Sequence, residues 1–498
     1  MKERDFFEKI MEVPSIMSTP VTGLAVVAAV VVIGLTYLVY RWRNPKCNGV
    51  LPPGSMGFPL IGETLQLIAP GYTLDLPPFI KKRVQKYGPI FRTSLVGRSI
   101  VVTADPEINS FIYNQEGRTV ELWYLDSISK VFKQDGEAKT TAGGAIHKYL
   151  RSITLNHFGS ESLKSKLLAD IQRYVDKVLI QWSNQPSVEV QRGTLTMLYD
   201  FNADVMFGYD PEKSNENISE SLITLADGFM SFPVNIPGTK YNKCLKAQKK
   251  LVNMFKTLVK ERHQASVAAA RGDFLDQALR DIENEQFLTE EFVVNLLFGI
   301  LFASGSVSGS LTLMFKLLAE NPSVVEELTA EHEKFLKQRK DPESPITWEE
   351  YKSMTFTLYH MHAQVIYEIF RLSNAMPFLL RRTTKDVNIR GYTIPAGWTI
   401  MVANSALHLN PETHKDPLDF NPWRWKDQDQ YSVSKNLQPF GGGTRQCAGA
   451  DYSRVFMAIF LHTLVTKYSW KVVKGGEVSR SPILKFGDGI HVSFSAKA

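Results

Sequence analysis

The chain has 498 residues, 44% of them hydrophobic and 22% charged, with a formal net charge of +6. This excludes a disordered or fibrous chain and allows a large buried core. Its three cysteines, Cys47, Cys244 and Cys447, exclude a disulfide-stapled scaffold and fit no zinc-site spacing, so the body belongs in a reducing compartment.

The first predicted element is Val21–Tyr40, which contains no charged residue. A helix of about 20 residues spans about 30 Å, the thickness of a bilayer core. Arg41, Arg43 and Lys46 follow at once, while Lys2, Arg4 and Lys9 are mixed with Glu3, Asp5, Glu8 and Glu12. The compact basic cluster after the span places the body on the cytosolic side. A cleaved signal peptide is the rival reading. Leu51-Pro52-Pro53-Gly54 then stiffens the link to the body. The expected organisation is a short segment 1–20, a transmembrane anchor 21–40, a basic and Pro/Gly-rich hinge 41–62, and one large domain 63–498. The sequon Asn217-Ile218-Ser219 would be idle on a cytosolic face.

Within the body, Pro77 to Val102 reads as a short helix followed by strands. Ile90–Ser94 and Arg98–Thr103 form a hairpin pivoting near Gly97. From Pro106 to Lys337 helical periodicity dominates, as in Leu163–Trp182 and Cys244–His263. A long apolar helix is expected over Glu290–Glu320. Thr347 and Glu350 have the spacing of a helix-capping pair. Asp386–Val402 shortens toward strand period, with turn signals in Gly391–Trp398, and Trp470–Phe494 is again strand-rich. Many helices with segregated minor sheets give a mainly α, α+β body.

Four motifs carry possible chemistry. His147 and Arg151 stand four apart on a predicted helix. Glu368 and Arg371, three apart, share a helix face. Phe420-Asn421-Pro422-Trp423-Arg424 sets an arginine after a proline. The loop Phe440-Gly441-Gly442-Gly443-Thr444-Arg445-Gln446-Cys447-Ala448-Gly449 places a cysteine among glycines, just before a helix expected from about Asp451. Glycines let backbone amides approach a sulfur, and a helix N-terminus favours a thiolate. Arg445 offers a fork of donors suited to a carboxylate.

That loop resembles the haem-binding signature F-x-x-G-x-R-x-C-x-G of the cytochrome P450 family, with every fixed position filled. The resemblance implies the cytochrome P450 fold, haem b with Cys447 as axial thiolate to iron, and Phe440 and Gly449 in the haem seat. It also implies haem propionates held by His147, Arg151, Arg381 and Arg445, with Arg382 able to exchange roles with Arg381. Histidine stands at 147 where the family commonly has tryptophan. Glu368, Arg371 and Arg424 resemble the family's buried charge cluster, a folding brace rather than a chemical group.

The helix segment Ala303-Ser304-Gly305-Ser306-Val307-Ser308-Gly309 departs from the pattern. The family usually has an acid and a threonine there for proton delivery, whereas this chain has no Asp or Glu between Phe292 and Ala319. Ser306 takes the acid's position, and a one-residue shift brings Ser308 to the alcohol's. Close helix packing is the alternative use of these small residues. Candidate substrate walls, by family position, are Val120–Phe132, Phe229–Pro233, Asn374–Leu380 and Phe486–Ile490.

Finer resemblance, carried by Gly88-Pro89-Ile90-Phe91, Ile346–Tyr351, Phe420–Trp425 and Phe440–Ala450, is to the plant clan oxidising sterols, brassinosteroids and triterpenes. It implies an endoplasmic-reticulum monooxygenase, supplied with electrons from NADPH by a membrane reductase, that hydroxylates a large apolar skeleton. The positive net charge is compatible with an acidic partner, and no nucleic-acid partner is expected. Two alternatives stay open: a haem-thiolate isomerase or dehydratase needing no reductase, and a sterol-binding haemoprotein without catalysis.

Overall fold

The apolar stretch 290–320 is the axis of the molecule. It folds as helices Glu290–Ser304 and Ser308–Glu320, joined by a tight 3-10 turn at Gly305–Val307. The expected single helix is therefore broken at its glycine- and serine-rich centre. In the computed structural model, residues 20–132, 143–264, 270–341, 344–358, 364–426 and 428–497 are described.

Around this axis pack the helices Leu168–Ser183, Val190–Phe207 and Ala450–Lys467. Their buried side chains, among them Ile171, Leu198, Phe201, Leu297, Phe315, Phe456 and Phe460, form one continuous core. The helix Ala450–Lys467 is apolar on nearly all sides and is buried on nearly all sides. Lys240–Gln264 lays only one face, from Tyr241 to Val259, into the core. Thr347 and Glu350 do form the reciprocal capping pair.

A five-stranded sheet flanks the helices, in the order Ile90–Leu95, Arg98–Thr103, Thr399–Val402, Leu379–Thr383, Val120–Leu122. The first two strands are the expected hairpin, with Val96 and Gly97 both at positive φ in its turn. The strand Val120–Leu122 was not anticipated, nor was Val188–Glu189, which joins a second sheet with Ile490–Ala496 and Tyr468–Gly475. Both are too short to leave a period in a helix-dominated stretch.

The N-terminal helix runs from Pro20 to Arg43, past the expected end at Tyr40. From Leu24 onward it is long and apolar enough to cross a membrane, and none of it is buried in the body. The segment 290–320 passes the same test of length and apolarity but is largely buried. At the helix end, the Trp42 indole N–H donates to the Met56 carbonyl at 3.1 Å. The expected segment 1–20 lies almost wholly outside the described residues.

Candidate active site

The cysteine loop rests on the helix Pro106–Asn114. Gly441 and Gly443 take φ of +69° and +66°, conformations that favour glycine. A side chain on Gly443 would collide with the Tyr113 carbonyl, and one on Gly442 would come within 2.8 Å of the Tyr113 ring. Tyr113 is itself fixed, its hydroxyl 2.9 Å from Asn404 Oδ1. The loop closes on itself through the Cys447 amide, which donates to the Phe440 carbonyl at 3.0 Å. Phe440 packs edge-on against Phe370 at 5.0 Å and lies under the Arg454 guanidinium at 4.8 Å.

Cys447 is exposed as a residue, yet protein crowds its sulfur enough that burial pushes the thiol up. The Gly449 amide, Arg151 and Arg454 pull the other way. The expected help from the helix N-terminus is present in that amide, but desolvation outweighs it. A cation beside the sulfur would favour its thiolate form.

Three arginines come to the same place. Arg151, on the helix Gly144–Phe158, donates from Nη1 to the Gln446 carbonyl at 2.7 Å. Arg381 is 2% exposed, whereas Arg382 is exposed, because neighbours on a strand point to opposite faces. The expected exchange between these two arginines is therefore not available. Arg381 Nε lies 2.7 Å from Glu116 Oε2, and Arg445 Nε lies 3.2 Å from Glu116 Oε1. His147 is partly buried, and burial, then Arg445 and Arg151, hold its ring pKa down. It therefore meets the site as a neutral imidazole. Burial pushes the Tyr124 hydroxyl up, while the nearby charges of Arg381 and Arg445 pull it down and that of Glu116 adds to the rise. Glu116 and Tyr124 belong to this cluster, and sequence reasoning missed both.

These residues fit haem. The glycine shelf would accept a flat ring against backbone, the sulfur could bind its iron, and the arginines and His147 could hold its carboxylates. Arg381 Nε, though paired by charge, has no hydrogen-bond partner in line with it.

On the long helix, Ala303 and Ser306 are exposed and Gly299 and Gly309 partly so. Nothing stands within 4 Å of where a side chain on either glycine would begin, so this face borders open space. Ser308 points elsewhere. It is 2% exposed, its hydroxyl 2.8 Å from Thr194 Oγ1 and 3.2 Å from the Gln191 carbonyl. It is expected in a proton path, but its hydroxyl instead ties the axis to the helix Val190–Phe207. Ser310 is likewise used internally, 2.8 Å from Ser373 Oγ.

The cytochrome P450 family model matches residues 52–490. The chain belongs to the cytochrome P450 family. Along 96% of its length this P450 is 51% identical to 99% of the beta-amyrin 16-alpha-hydroxylase of Maesa lanceolata. Along 97% it is 52% identical to the whole of the cucurbitadienol 11-hydroxylase of Siraitia grosvenorii. Among solved structures, the retinoic acid-bound cyanobacterial CYP120A1 superposes with a TM-score of 0.78 at 25% identity, covering 91% of this chain and all of that one. The fold is that of the family, and the protein is a monooxygenase. Members of this family bind haem through a cysteine thiolate.

Beneath the site of this P450, Glu368, Arg371 and Arg424 meet in one buried cluster. Arg371 grips Glu368 with Nε at 2.8 Å and Nη2 at 2.7 Å, and Arg424 Nε reaches the same carboxylate at 2.9 Å. The Trp425 indole and the Asn421 amide donate to it as well. The arginines are spent on carbonyls, Arg371 on His408, Pro417 and Asp419. The meander 408–425 is thereby strapped to the helix Gln364–Ser373.

The expected walls divide. Phe132 and Phe229 join Phe298 and Phe302 of the long helix in an aromatic cluster, with ring separations of 5.2–6.4 Å. Val120, Phe486 and Ile490 are core instead. Asn374 is a buried strut, its amide oxygen set against His408 Nδ1 and its amide nitrogen donating to the Arg371 carbonyl.

Proposed function

We propose that the protein is a membrane-anchored haem-thiolate monooxygenase that hydroxylates a triterpenoid skeleton, with electrons from NADPH delivered by a reductase. The observation that carries this reading is the convergence of Cys447, Arg151, Arg381 and Arg445 on one glycine-lined shelf. The names of the two half-identical relatives supply the substrate class. In this reading Cys447 binds iron, Phe440 and Gly449 line the sulfur's side, and His147, Arg151, Arg381 and Arg445 receive the propionates. Haem so bound supplies oxygen activation for insertion into an unactivated C–H bond.

The chain's own residues do the rest. The four phenylalanines make an apolar cluster against the long helix, as a site for a large hydrocarbon requires. Ser306 is the hydroxyl on the open face of the axis, placed to hold a water and pass a proton. The Glu368 cluster keeps the meander behind the cysteine loop in place. The helix Pro20–Arg43 anchors the enzyme in the endoplasmic-reticulum membrane, with the body in the cytosol.

The test is co-expression with a plant reductase in yeast fed beta-amyrin and cucurbitadienol, read by mass spectrometry. Products heavier by one oxygen, dependent on NADPH, are expected. Turnover without NADPH would establish the reductase-free isomerase instead. The reduced, carbon monoxide-bound protein should give the red-shifted band of thiolate ligation, and Cys447→Ser should abolish it.

A further inference from the structure

Glu116 has no part in the function proposed above, yet it occupies the centre of the arginine cluster. Its carboxylate is 8% exposed and lies between two guanidiniums, 3.2 Å from Arg445 Nε and 2.7 Å from Arg381 Nε. Oε1 also accepts from the Leu122 amide at 3.1 Å. Leu122 is the residue that pairs with Arg381 across the sheet. The carboxylate is thus built into the strand register that places Arg381. The turn that presents it is closed by the Gly117 amide on the Val120 carbonyl at 2.8 Å, with Gly117 at φ +75°.

Two guanidiniums this close repel each other, and a single surface ion pair would not need a rigid turn to make it. A buried carboxylate between them offsets that repulsion and fixes their spacing. The charges also balance. Arg151, Arg381 and Arg445 bring three positive charges and Glu116 one negative, which leaves two for the two carboxylates of haem.

We propose that Glu116 is a positioning residue for haem: it spaces Arg381 and Arg445 for the propionates and, by its charge, holds the reduction potential of the iron down. This rests on the haem seat proposed above. Its logic is that of outer partners orienting the groups that bind a metal cofactor. Reduction adds an electron, so a negative charge nearby disfavours it and removal of that charge favours it.

Two variants of the full-length, haem-loaded protein separate charge from reach. Glu116→Gln keeps the shape and loses the charge; its reduction potential, followed by spectroelectrochemistry, should move positive while the thiolate band with carbon monoxide is retained. Glu116→Asp keeps the charge but is one methylene too short to serve both arginines. Its potential should stay at the wild-type value while haem transfers to excess apomyoglobin several-fold faster. An unmoved potential in Glu116→Gln, or wild-type haem release in Glu116→Asp, overturns the proposal. If Glu116→Gln takes up no haem, the Glu116→Asp release rate decides. A wild-type protein without the thiolate band would sink the haem seat itself, a different failure from either.

Discussion

The Tyr199 hydroxyl packs directly against Gly305, at the point where the long helix breaks. Tyr199 is 1% exposed, and burial pushes its hydroxyl well up, so it stays protonated. Only a residue without a side chain fits between this ring and the axis. Gly305→Ala should therefore destabilise the fold by about 1–3 kcal/mol through overpacking. Denaturant unfolding of the purified protein measures this; wild-type stability would mean that the ring yields freely.

The two serines of the helix break should separate cleanly. Ser308→Ala removes a buried hydrogen bond but leaves the Thr194 hydroxyl bonded to the Val190 carbonyl, costing about 0.5–1.5 kcal/mol, and should leave product formed per NADPH unchanged. Ser306→Ala should leave stability unchanged and lower product per NADPH, with more peroxide released. Equal coupling in Ser306→Ala and wild type would remove the proton role from Ser306.

Glu368 receives donors from Arg371, Arg424, Trp425 and Asn421. Glu368→Gln keeps the shape but leaves two buried guanidiniums without a counter-charge, at a cost of about 3–5 kcal/mol. Little folded haemoprotein should accumulate, and the yield of the carbon monoxide band measures that. Normal yield would show that the arginines are satisfied by the carbonyls alone.

Asp200 is buried with Oδ1 unpartnered, and burial raises its pKa to about 6 from an ordinary 3.8. The folded state therefore holds this proton more tightly than the unfolded one. Stability falls as pH rises from about 3.8 to about 6 and is lower by roughly 3 kcal/mol above that range. Asp200→Asn should recover part of this at pH 8 and almost none at pH 4. Parallel pH profiles for the two proteins would refute the assignment.

What could be read from sequence was what lies close along the chain. The cysteine loop is ten consecutive residues, and Glu368 and Arg371 sit one helical turn apart. Glu116 was invisible because its partners Arg381 and Arg445 reach it only through sheet pairing and loop docking. Ser308 reaches the alcohol's position only by a one-residue shift, and its partner Thr194 lies 114 residues away on another helix. The 3-10 turn at Gly305–Val307 has about three residues per turn instead of 3.6, and that shifts the phase of every side chain after it. Arg382 failed as a substitute for Arg381 for the simplest reason, strand alternation.

Trp42 gives the N-terminal helix more than a leash. With its indole on the Met56 carbonyl, the helix enters the body tied at its end rather than hanging from the connection that follows it. If that helix is the membrane anchor proposed above, the contact favours one attitude of the body over the lipid. For the anchored enzyme proposed above, a greasy substrate dissolved in the leaflet would then meet the same side of the body each time.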